Sequence, residues 1–264
     1  MARMTLGELD LACDLNGEGP TLVWGHGLSS SRSREDALDL IDWSVLGEAC
    51  RLLRYDARGH GESTLTSELS RYSWSCLAQD QLALTSALGI ERYVAAGASM
   101  GCGTALHAAV LAPDRIEALV LVIPPTAWES RQERVAIWEQ VATVIERRGV
   151  EGFVENMALM PVPDPLVGRQ GWFDANAAAA HRSGAERLAT VFRGAAYADL
   201  PARVDIAALT QPCLILAWTG DLGHPVSTAE ALAELLPEAE LVLSSSWSEV
   251  ERWSGRIAAF LERL

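Results

Sequence analysis

Short hydrophobic runs alternate with amphipathic stretches over most of this chain. Seven apolar runs bounded by glycine, proline or polar residues predict β-strands: Met4–Asp14, Leu22–Gly25, Arg51–Tyr55, Arg92–Ala96, Ala118–Ile123, Pro212–Trp218 and Glu240–Leu243. Apolar residues at helical spacing between them predict helices over Glu35–Glu48, Trp74–Leu88, Cys102–Leu111, Ser227–Leu236 and Gly255–Leu264. Strands that alternate with helices favour a parallel, doubly wound α/β sheet.

The alternation stops between Thr126 and about Ala207. Here the pattern predicts helices only, over Arg131–Arg148, Glu151–Leu159 and Ala185–Tyr197, with irregular chain over Pro161–Gly171. We therefore expect a helical cap formed by residues 126–207. It would be inserted into an α/β core formed by residues 1–125 and 208–264.

Composition narrows the classes of partner. The chain has 264 residues, 49% of them apolar, and 21 Lys and Arg against 35 Asp and Glu give a net charge of −14. This charge fits poorly with nucleic acid or an anionic membrane surface and favours a small apolar substrate or ligand. The five cysteines are odd in number and lie mostly in apolar runs, which is typical of reduced, buried thiols.

Targeting and cofactor signals are not found in the sequence. The first fifteen residues have no apolar signal-peptide core, and the longest apolar run, Ala118–Pro125, is too short to span a bilayer. We therefore expect a cytoplasmic protein. No metal-ligand spacing and no phosphate-binding glycine motif occurs, so we expect neither a metal nor a cofactor. The sequence leaves the oligomeric state open.

One pentapeptide, Gly97-Ala98-Ser99-Met100-Gly101, carries a candidate nucleophile. It lies between a predicted strand and a predicted helix, where a sharp turn would expose Ser99 at the C-terminal end of a parallel sheet. Glycines two residues before and after the serine are expected because larger side chains would clash at such a turn. This arrangement is typical of a nucleophile elbow.

Four motifs together resemble the α/β-hydrolase superfamily. In chain order they are His26-Gly27 after a strand, Asp56-x-Arg58-Gly59-His60-Gly61-x-Ser63, Gly97-x-Ser99-x-Gly101 and Gly220-Asp221-x-x-His224-Pro225. The resemblance covers nearly the whole chain. It implies a mostly parallel eight-stranded sheet flanked by helices, with a helical cap inserted after the sixth strand.

The resemblance also implies catalytic roles. Ser99 matches the nucleophile, Asp221 the acid, and the backbone N–H groups of Leu28 and Met100 match the two donors of the oxyanion hole. The family's histidine base would fall in the loop after the last strand. Ser246 or Trp247 occupies that place here, so the chain departs from the family pattern at the residue that activates the serine.

His224 is the candidate substitute base, because it follows Asp221 by three residues in a loop that lines the pocket in relatives. The short spacing argues against the usual orientation of the pair, since the backbone would have to curl back on itself. His26 and His60 are expected to brace loops, and His107 is expected in the core. His181, in the cap, is expected to face solvent.

Aromatic residues suggest an apolar pocket. Trp128, Trp218 and Trp247 fall at or just past predicted strand ends, the face where such sheets bind ligands, and with His26 they form the predicted pocket. Core packing explains each tryptophan equally well. The cap adds residues that fit either a pocket lid or a helix core: Phe153, Met157, Met160, Trp172 and Phe192.

Two functions remain open from the sequence. The first is a serine hydrolase that acts on an ester, thioester or lactone of an apolar small molecule, with an atypical or absent base. The second is a non-hydrolytic protein of the same fold, namely a cyclase, a lyase or a small-molecule binder, because a serine without a base is a poor nucleophile at neutral pH.

Overall fold

The computed structural model describes residues 2–264, apart from the side chain of Gln170. Eight strands form one sheet in the order β1-β2-β4-β3-β5-β6-β7-β8. The strands are β1 (Ala2–Leu6), β2 (Leu9–Asn16), β3 (Thr21–Gly25), β4 (Arg51–Tyr55), β5 (Tyr93–Ala98), β6 (Ile116–Val122), β7 (Cys213–Trp218) and β8 (Ala239–Ser244). β2 pairs antiparallel with both β1 and β4, and the other neighbouring pairs are parallel. The predicted fold class, with eight strands and a mostly parallel sheet, is confirmed.

The first predicted strand is wrong in one respect. Met4–Asp14 is not one strand but parts of β1 and β2, which form a hairpin across Gly7 and Glu8. Gly7 has φ of +67°, a left-handed conformation that glycine adopts without strain, so the chain can reverse there. The hairpin supplies the eighth strand.

Eleven α-helices accompany the sheet among the described residues. They are α1 (Arg32–Leu38), α2 (Trp43–Ala49), α3 (Trp74–Ala87), α4 (Met100–Leu111), α5 (Arg131–Met157), α6 (Gln170–Ser183), α7 (Ala185–Gly194), α8 (Arg203–Ala207), α9 (Val226–Leu235), α10 (Trp247–Val250) and α11 (Trp253–Leu261). The predicted helix Glu35–Glu48 is split into α1 and α2, because Asp39 is left-handed and the Asp42 side chain caps a new helix.

The sheet separates two apolar layers. Successive side chains of a strand point to opposite faces, and in β5 Ala95 contributes to one layer while Val94 and Ala96 contribute to the other. Helices α3, α4 and α9 cover the first layer, and α2 and α11 cover the second. All five cysteines are free, and four of them are buried, as the sequence predicts.

The chain between β6 and β7 is helical, with α5 to α8. Gly149, at φ of +70°, interrupts α5 close to the predicted break between Arg148 and Glu151. The sequence pattern missed α6, whose alanine-rich middle has high helix propensity but weak apolar periodicity. These helices have a small core of their own, which includes Ile145 and Leu188, and α6 contacts α1.

Candidate active site

The turn that carries Ser99 joins β5 to α4. Ser99 has φ of 52°, a conformation that only few non-glycine residues adopt, and its N–H donates to the carbonyl oxygen of Val122 at 2.9 Å. A Cβ atom on Gly101 would lie 2.0 Å from the Gly25 carbonyl oxygen, and one on Gly97 would lie 2.5 Å from the same atom. Both glycines are therefore required by the close approach of β3, as the sequence predicts.

His224 and Asp221 extend from the loop between β7 and α9 toward this turn. The Ser99 Oγ atom lies 2.7 Å from Nε2 of His224, and Nδ1 of the same ring lies 2.8 Å from Oδ2 of Asp221. A carboxylate only accepts hydrogen bonds, so Nδ1 carries the proton and Nε2 is free to accept from the serine hydroxyl. The three side chains form one hydrogen-bonded chain.

The Asp221 carboxylate also folds its own loop. Its Oδ1 accepts from the N–H of Gly223 at 2.7 Å and from the N–H of His224 at 3.2 Å, while Oδ2 accepts from Nε1 of Trp218 at 2.8 Å. This turn curls the backbone back so that the His224 ring can contact its own acid. The sequence argument that a spacing of three residues prevents this orientation is wrong.

Burial and hydrogen bonding act in opposite directions on the Asp221 carboxyl. Burial raises its pKa, but the His224 imidazole and the hydrogen bonds from His224, Trp218 and Gly223 lower it by more. The pKa of Asp221 therefore lies below its ordinary value. An ionised Asp221 can hold the His224 ring in one tautomer and stabilise it when it is protonated.

The loop after β8, where the family pattern expects the base, has a structural role. The Glu249 carboxylate accepts from the N–H groups of Ser245 and Ser246 at 2.7 and 3.0 Å and so caps α10. The Trp247 indole donates to Glu251, and the guanidinium of Arg169 packs on its ring at 3.4 Å from the centroid. None of these contacts reaches Ser99.

The four other histidines have local partners. Nε2 of His26 accepts from the N–H of Ala57 at 2.9 Å, and Nδ1 of His60 donates to the Arg58 carbonyl at 2.8 Å. Burial lowers the pKa of His26 and lowers that of His60 to about 3, so both rings are neutral braces. His107 contacts the carbonyl oxygen of Asp199, and His181 is half-exposed near Glu151.

Two backbone N–H groups flank Ser99. Leu28 follows Gly27, and a Cβ atom on Gly27 would lie 3.5 Å from the Cβ atom of Ser99. The N–H of Leu28 donates a hydrogen bond to no described residue. Met100 begins α4, so its N–H has no partner within the helix. Both residues line the same small cavity beside Ser99.

Ser99 and His224 lie in the walls of two cavities. The larger one has a volume of about 910 Å³ and extends beneath α5 and α6, and the smaller one has about 160 Å³. Aromatic and aliphatic side chains dominate the larger cavity, among them Trp24, Trp43, Trp172, Phe173, Trp218 and Ile41. A bound molecule could therefore place groups on both sides of the Ser99 hydroxyl.

A model of the alpha/beta hydrolase family matches residues 22–258 of this chain. The chain belongs to the alpha/beta hydrolase family. A protein of Pseudomonas savastanoi pv. phaseolicola (strain 1448A / Race 6), named "Putative carbamate hydrolase RutD", is 30% identical over 230 residues. The match covers 86% of this chain and 85% of that protein.

Solved structures of other hydrolases share the fold of this alpha/beta hydrolase. The enol-lactonase from Burkholderia xenovorans LB400 superposes with a TM-score of 0.80 and 23% identity, covering 99% of this chain and 97% of that one. A thermophilic esterase from Thermogutta terrifontis superposes with a TM-score of 0.82 and 22% identity, covering 100% and 99% of the two chains. At these identities the likeness establishes the fold.

One of the four predicted pocket residues lines a cavity of this alpha/beta hydrolase, and three do not. Trp218 lines the larger cavity, but His26, Trp128 and Trp247 line neither cavity. His26 is buried and braces its loop, and Trp247 packs against Arg169. The indole N–H of Trp128 donates to the Pro201 carbonyl oxygen at 3.0 Å.

Several residues that line the cavities were not found from the sequence. Trp24 lies near the C-terminal end of β3 and could have been found by the strand-end rule that selected Trp218. Arg34 and Asn176 have no local signal, because they meet only when α1 and α6 pack together. Met157, Met160 and Trp172 line the larger cavity, whereas Phe153 and Phe192 pack in the core of the inserted helices.

Among residues 2–264, no group of three or more His, Cys, Asp or Glu side chains is placed to hold a metal ion. Within the same residues, every helix is too short or too polar to cross a membrane.

Proposed function

We propose that this alpha/beta hydrolase is a serine hydrolase that acts on an ester, thioester or lactone of an apolar small molecule. The observation that carries the proposal is the hydrogen-bonded chain from Ser99 through His224 to Asp221, with distances of 2.7 and 2.8 Å. It supplies a nucleophile, a base and an orienting acid, which are the parts that acyl transfer requires. The base comes from the loop after β7 instead of the loop after β8.

Each group has a defined step in this mechanism. The Ser99 Oγ atom bonds to the substrate carbonyl carbon while its proton passes to Nε2 of His224, and the N–H groups of Leu28 and Met100 bind the oxyanion. The bond to the leaving group then breaks, and the leaving group takes the proton from Nε2. A water molecule next gives a proton to Nε2 and attacks the acyl-enzyme, which releases the acid and restores the Ser99 hydroxyl.

The cavities suggest how the two halves of a substrate are held. With the carbonyl carbon beside Ser99, one half would occupy the 910 Å³ cavity and the other the 160 Å³ cavity. The aromatic lining of the larger cavity favours an apolar body. Carbamates are a further candidate substrate class, because the relative from Pseudomonas savastanoi is named a putative carbamate hydrolase.

We further propose that residues 126–207 act as a cap over the core formed by residues 1–125 and 208–264. Residues of α5 and α6 and of the chain between them line the larger cavity, including Arg134, Met157, Trp172 and Asn176. This arrangement would shield the reaction from bulk solvent and select substrates by shape. A capped cavity would also suit the alternative function, that of a cyclase, a lyase or a small-molecule binder.

Labelling with a fluorophosphonate probe tests the proposal. We expect the probe to modify Ser99 in the wild-type protein and not in Ser99→Ala or His224→Ala, because the serine oxygen needs a base to become nucleophilic. His181→Ala, a change at a half-exposed histidine of α6, is the matched control and should be labelled normally. An unlabelled Ser99, together with p-nitrophenyl ester hydrolysis that survives in Ser99→Ala, would exclude this mechanism.

A further inference from the structure

The larger cavity has a charge pattern opposite to that of the whole chain. The chain has a net charge of −14, yet three arginines line this cavity: Arg34, Arg134 and Arg169. Only two carboxylates line it, Glu35 and Asp221. Asp221 is already bound to His224, so its charge is committed to the catalytic chain.

Among the three cavity arginines, Arg34 is the one whose guanidinium has a buried nitrogen without a hydrogen-bond partner in the described residues. Its Nη2 atom donates to Oδ1 of Asn176, a neutral group, and no carboxylate among residues 2–264 lies within ion-pair distance of it. The Nε atom is buried without a hydrogen-bond partner. Burial lowers the pKa of Arg34 to about 10, which still leaves the guanidinium charged at neutral pH.

Two arginines that are buried in the core, Arg58 and Arg32, have carboxylate partners. Arg58 binds Asp80 at 2.7 Å, and Arg32, two residues before Arg34, contacts the carboxylates of Asp56 and Glu62. A buried charge without a counter-charge is costly, and these pairs show how the fold normally avoids that cost. Arg34 departs from this pattern at the wall of a cavity.

Arg131, which is buried, also lacks a carboxylate partner, but other groups compensate its charge. Its guanidinium donates to the carbonyl oxygens of Ala198 and Ala195, and the ring centroids of Trp74 and Trp138 lie 4.2 and 3.9 Å from its central carbon. Backbone carbonyls and π-faces compensate a guanidinium in this way. Arg34 has no aromatic ring stacked on it among the described residues.

Glu35, the neighbour of Arg34, compensates its charge only in part. Both carboxylate oxygens of Glu35 accept from Nε1 of Trp24, at 3.1 and 3.0 Å, and not from Arg34. Burial raises the pKa of Glu35 to about 7, so this carboxyl is only partly ionised at neutral pH. The wall around Arg34 therefore keeps a net positive charge.

We propose that the larger cavity binds substrates that carry a carboxylate, and that Arg34, with Asn176 beside it, holds this acid group while the scissile carbonyl lies at Ser99. The inference rests on the proposed hydrolase function and narrows its substrate class to amphipathic acids: an apolar body for the tryptophan-lined wall and an anion for Arg34. A guanidinium is suited to this task because it can hold a carboxylate with two parallel hydrogen bonds. Arg134 and Arg169 add positive potential to the same cavity.

Binding of an unreactive acid tests the proposal independently of turnover. Isothermal titration compares 4-phenylbutyrate with 4-phenylbutyramide, which has the same size and no charge. We expect the acid to bind at least about tenfold more tightly, and Arg34→Gln to remove this preference while changing amide affinity by no more than about twofold. Arg34→Lys keeps the charge and should keep part of the preference. Arg263→Gln, at an exposed ion pair with Glu240, is the control.

Hydrolysis gives the second readout. For mono-p-nitrophenyl glutarate and its methyl ester, we expect Arg34→Gln to lower kcat/KM for the acid by about 10- to 100-fold and to leave the methyl ester nearly unchanged. Equal affinity for acid and amide, no measurable acid binding, or an acid preference that survives in Arg34→Gln would overturn this inference. Acid binding without hydrolysis of either ester would instead overturn the hydrolase proposal alone.

Discussion

The Nδ1 atom of His224 lies 2.8 Å from Oδ2 of Asp221, a residue only three positions earlier in the chain. The proposed acid and base therefore belong to one loop, which the Asp221 carboxylate itself folds through the N–H groups of Gly223 and His224. In the family pattern the two residues come from two loops. Here the geometry of one turn controls both the acid and the base.

Replacement of His224 tests where the base lies. We expect His224→Ala to lower kcat for a p-nitrophenyl ester by about 10⁴-fold or more, because Ser99 loses its proton acceptor. Ser246→Ala, in the loop that holds the base in the family, should change kcat by no more than about twofold and cost about 1 kcal/mol of stability through the weakened cap of α10. A reversed pattern would place the base after β8.

Asp221→Asn should preserve the fold and impair the chemistry. Asparagine has a single acceptor oxygen, so it can keep the hydrogen bonds from the loop N–H groups by losing the one from Trp218, but it cannot stabilise a protonated His224 or fix its tautomer. We expect kcat to fall by about 10³- to 10⁴-fold with KM nearly unchanged, measured in steady-state assays. If the loss of kcat is accompanied by a loss of folding stability large enough to account for it, Asp221 only folds its loop.

The glycines of the elbow are expected to be intolerant of substitution. In Gly101→Ala the new Cβ would lie 2.0 Å from a backbone oxygen of Gly25, so β3 or α4 must move, at a cost of about 3 kcal/mol or more. Gly255→Ala is the matched control, since α11 leaves open space there and alanine favours a helix by up to about 1 kcal/mol. Urea denaturation of both variants measures the contrast.

Glu35 should make stability depend on pH. Its pKa in the folded protein, about 7, lies above the ordinary value of 4.5, so the folded state binds more protons between these values and stability falls as the pH rises from about 4.5 to 7. Glu35→Gln removes this dependence. The variant should gain about 2 kcal/mol relative to the wild type between pH 5 and pH 8, by urea denaturation at both pH values.

The control for this measurement is Glu8→Gln, a substitution in the exposed hairpin turn between β1 and β2. Its stability difference from the wild type should stay nearly constant over the same range. If the stability difference of Glu35→Gln is equally constant, burial does not raise the pKa of Glu35 in the folded protein, and this prediction is wrong.

Local patterns explain which parts of the fold were predictable. The strands β3 to β8 and the helices α3, α4, α9 and α11 follow from apolar periodicity, because these elements bury one or both faces against the sheet. The hairpin at Gly7 and the break at Asp39 were missed, since each depends on a single residue with positive φ inside an otherwise periodic run. Alanine-rich α6 had too little apolar contrast to be found.

The sequence by itself determined the position of Ser99. Its flanking glycines and its place between a strand and a helix are local properties, and the close packing against Gly25 agrees with them.

Only the tertiary structure decided the partner of Ser99. His224 is 125 residues away along the chain, and the two side chains meet because β5 and β7 end at the same edge of the sheet and Asp221 turns its loop back. Arg34 and Asn176 likewise meet only through packing, since long-range contacts depend on how distant elements pack and not on any local periodicity.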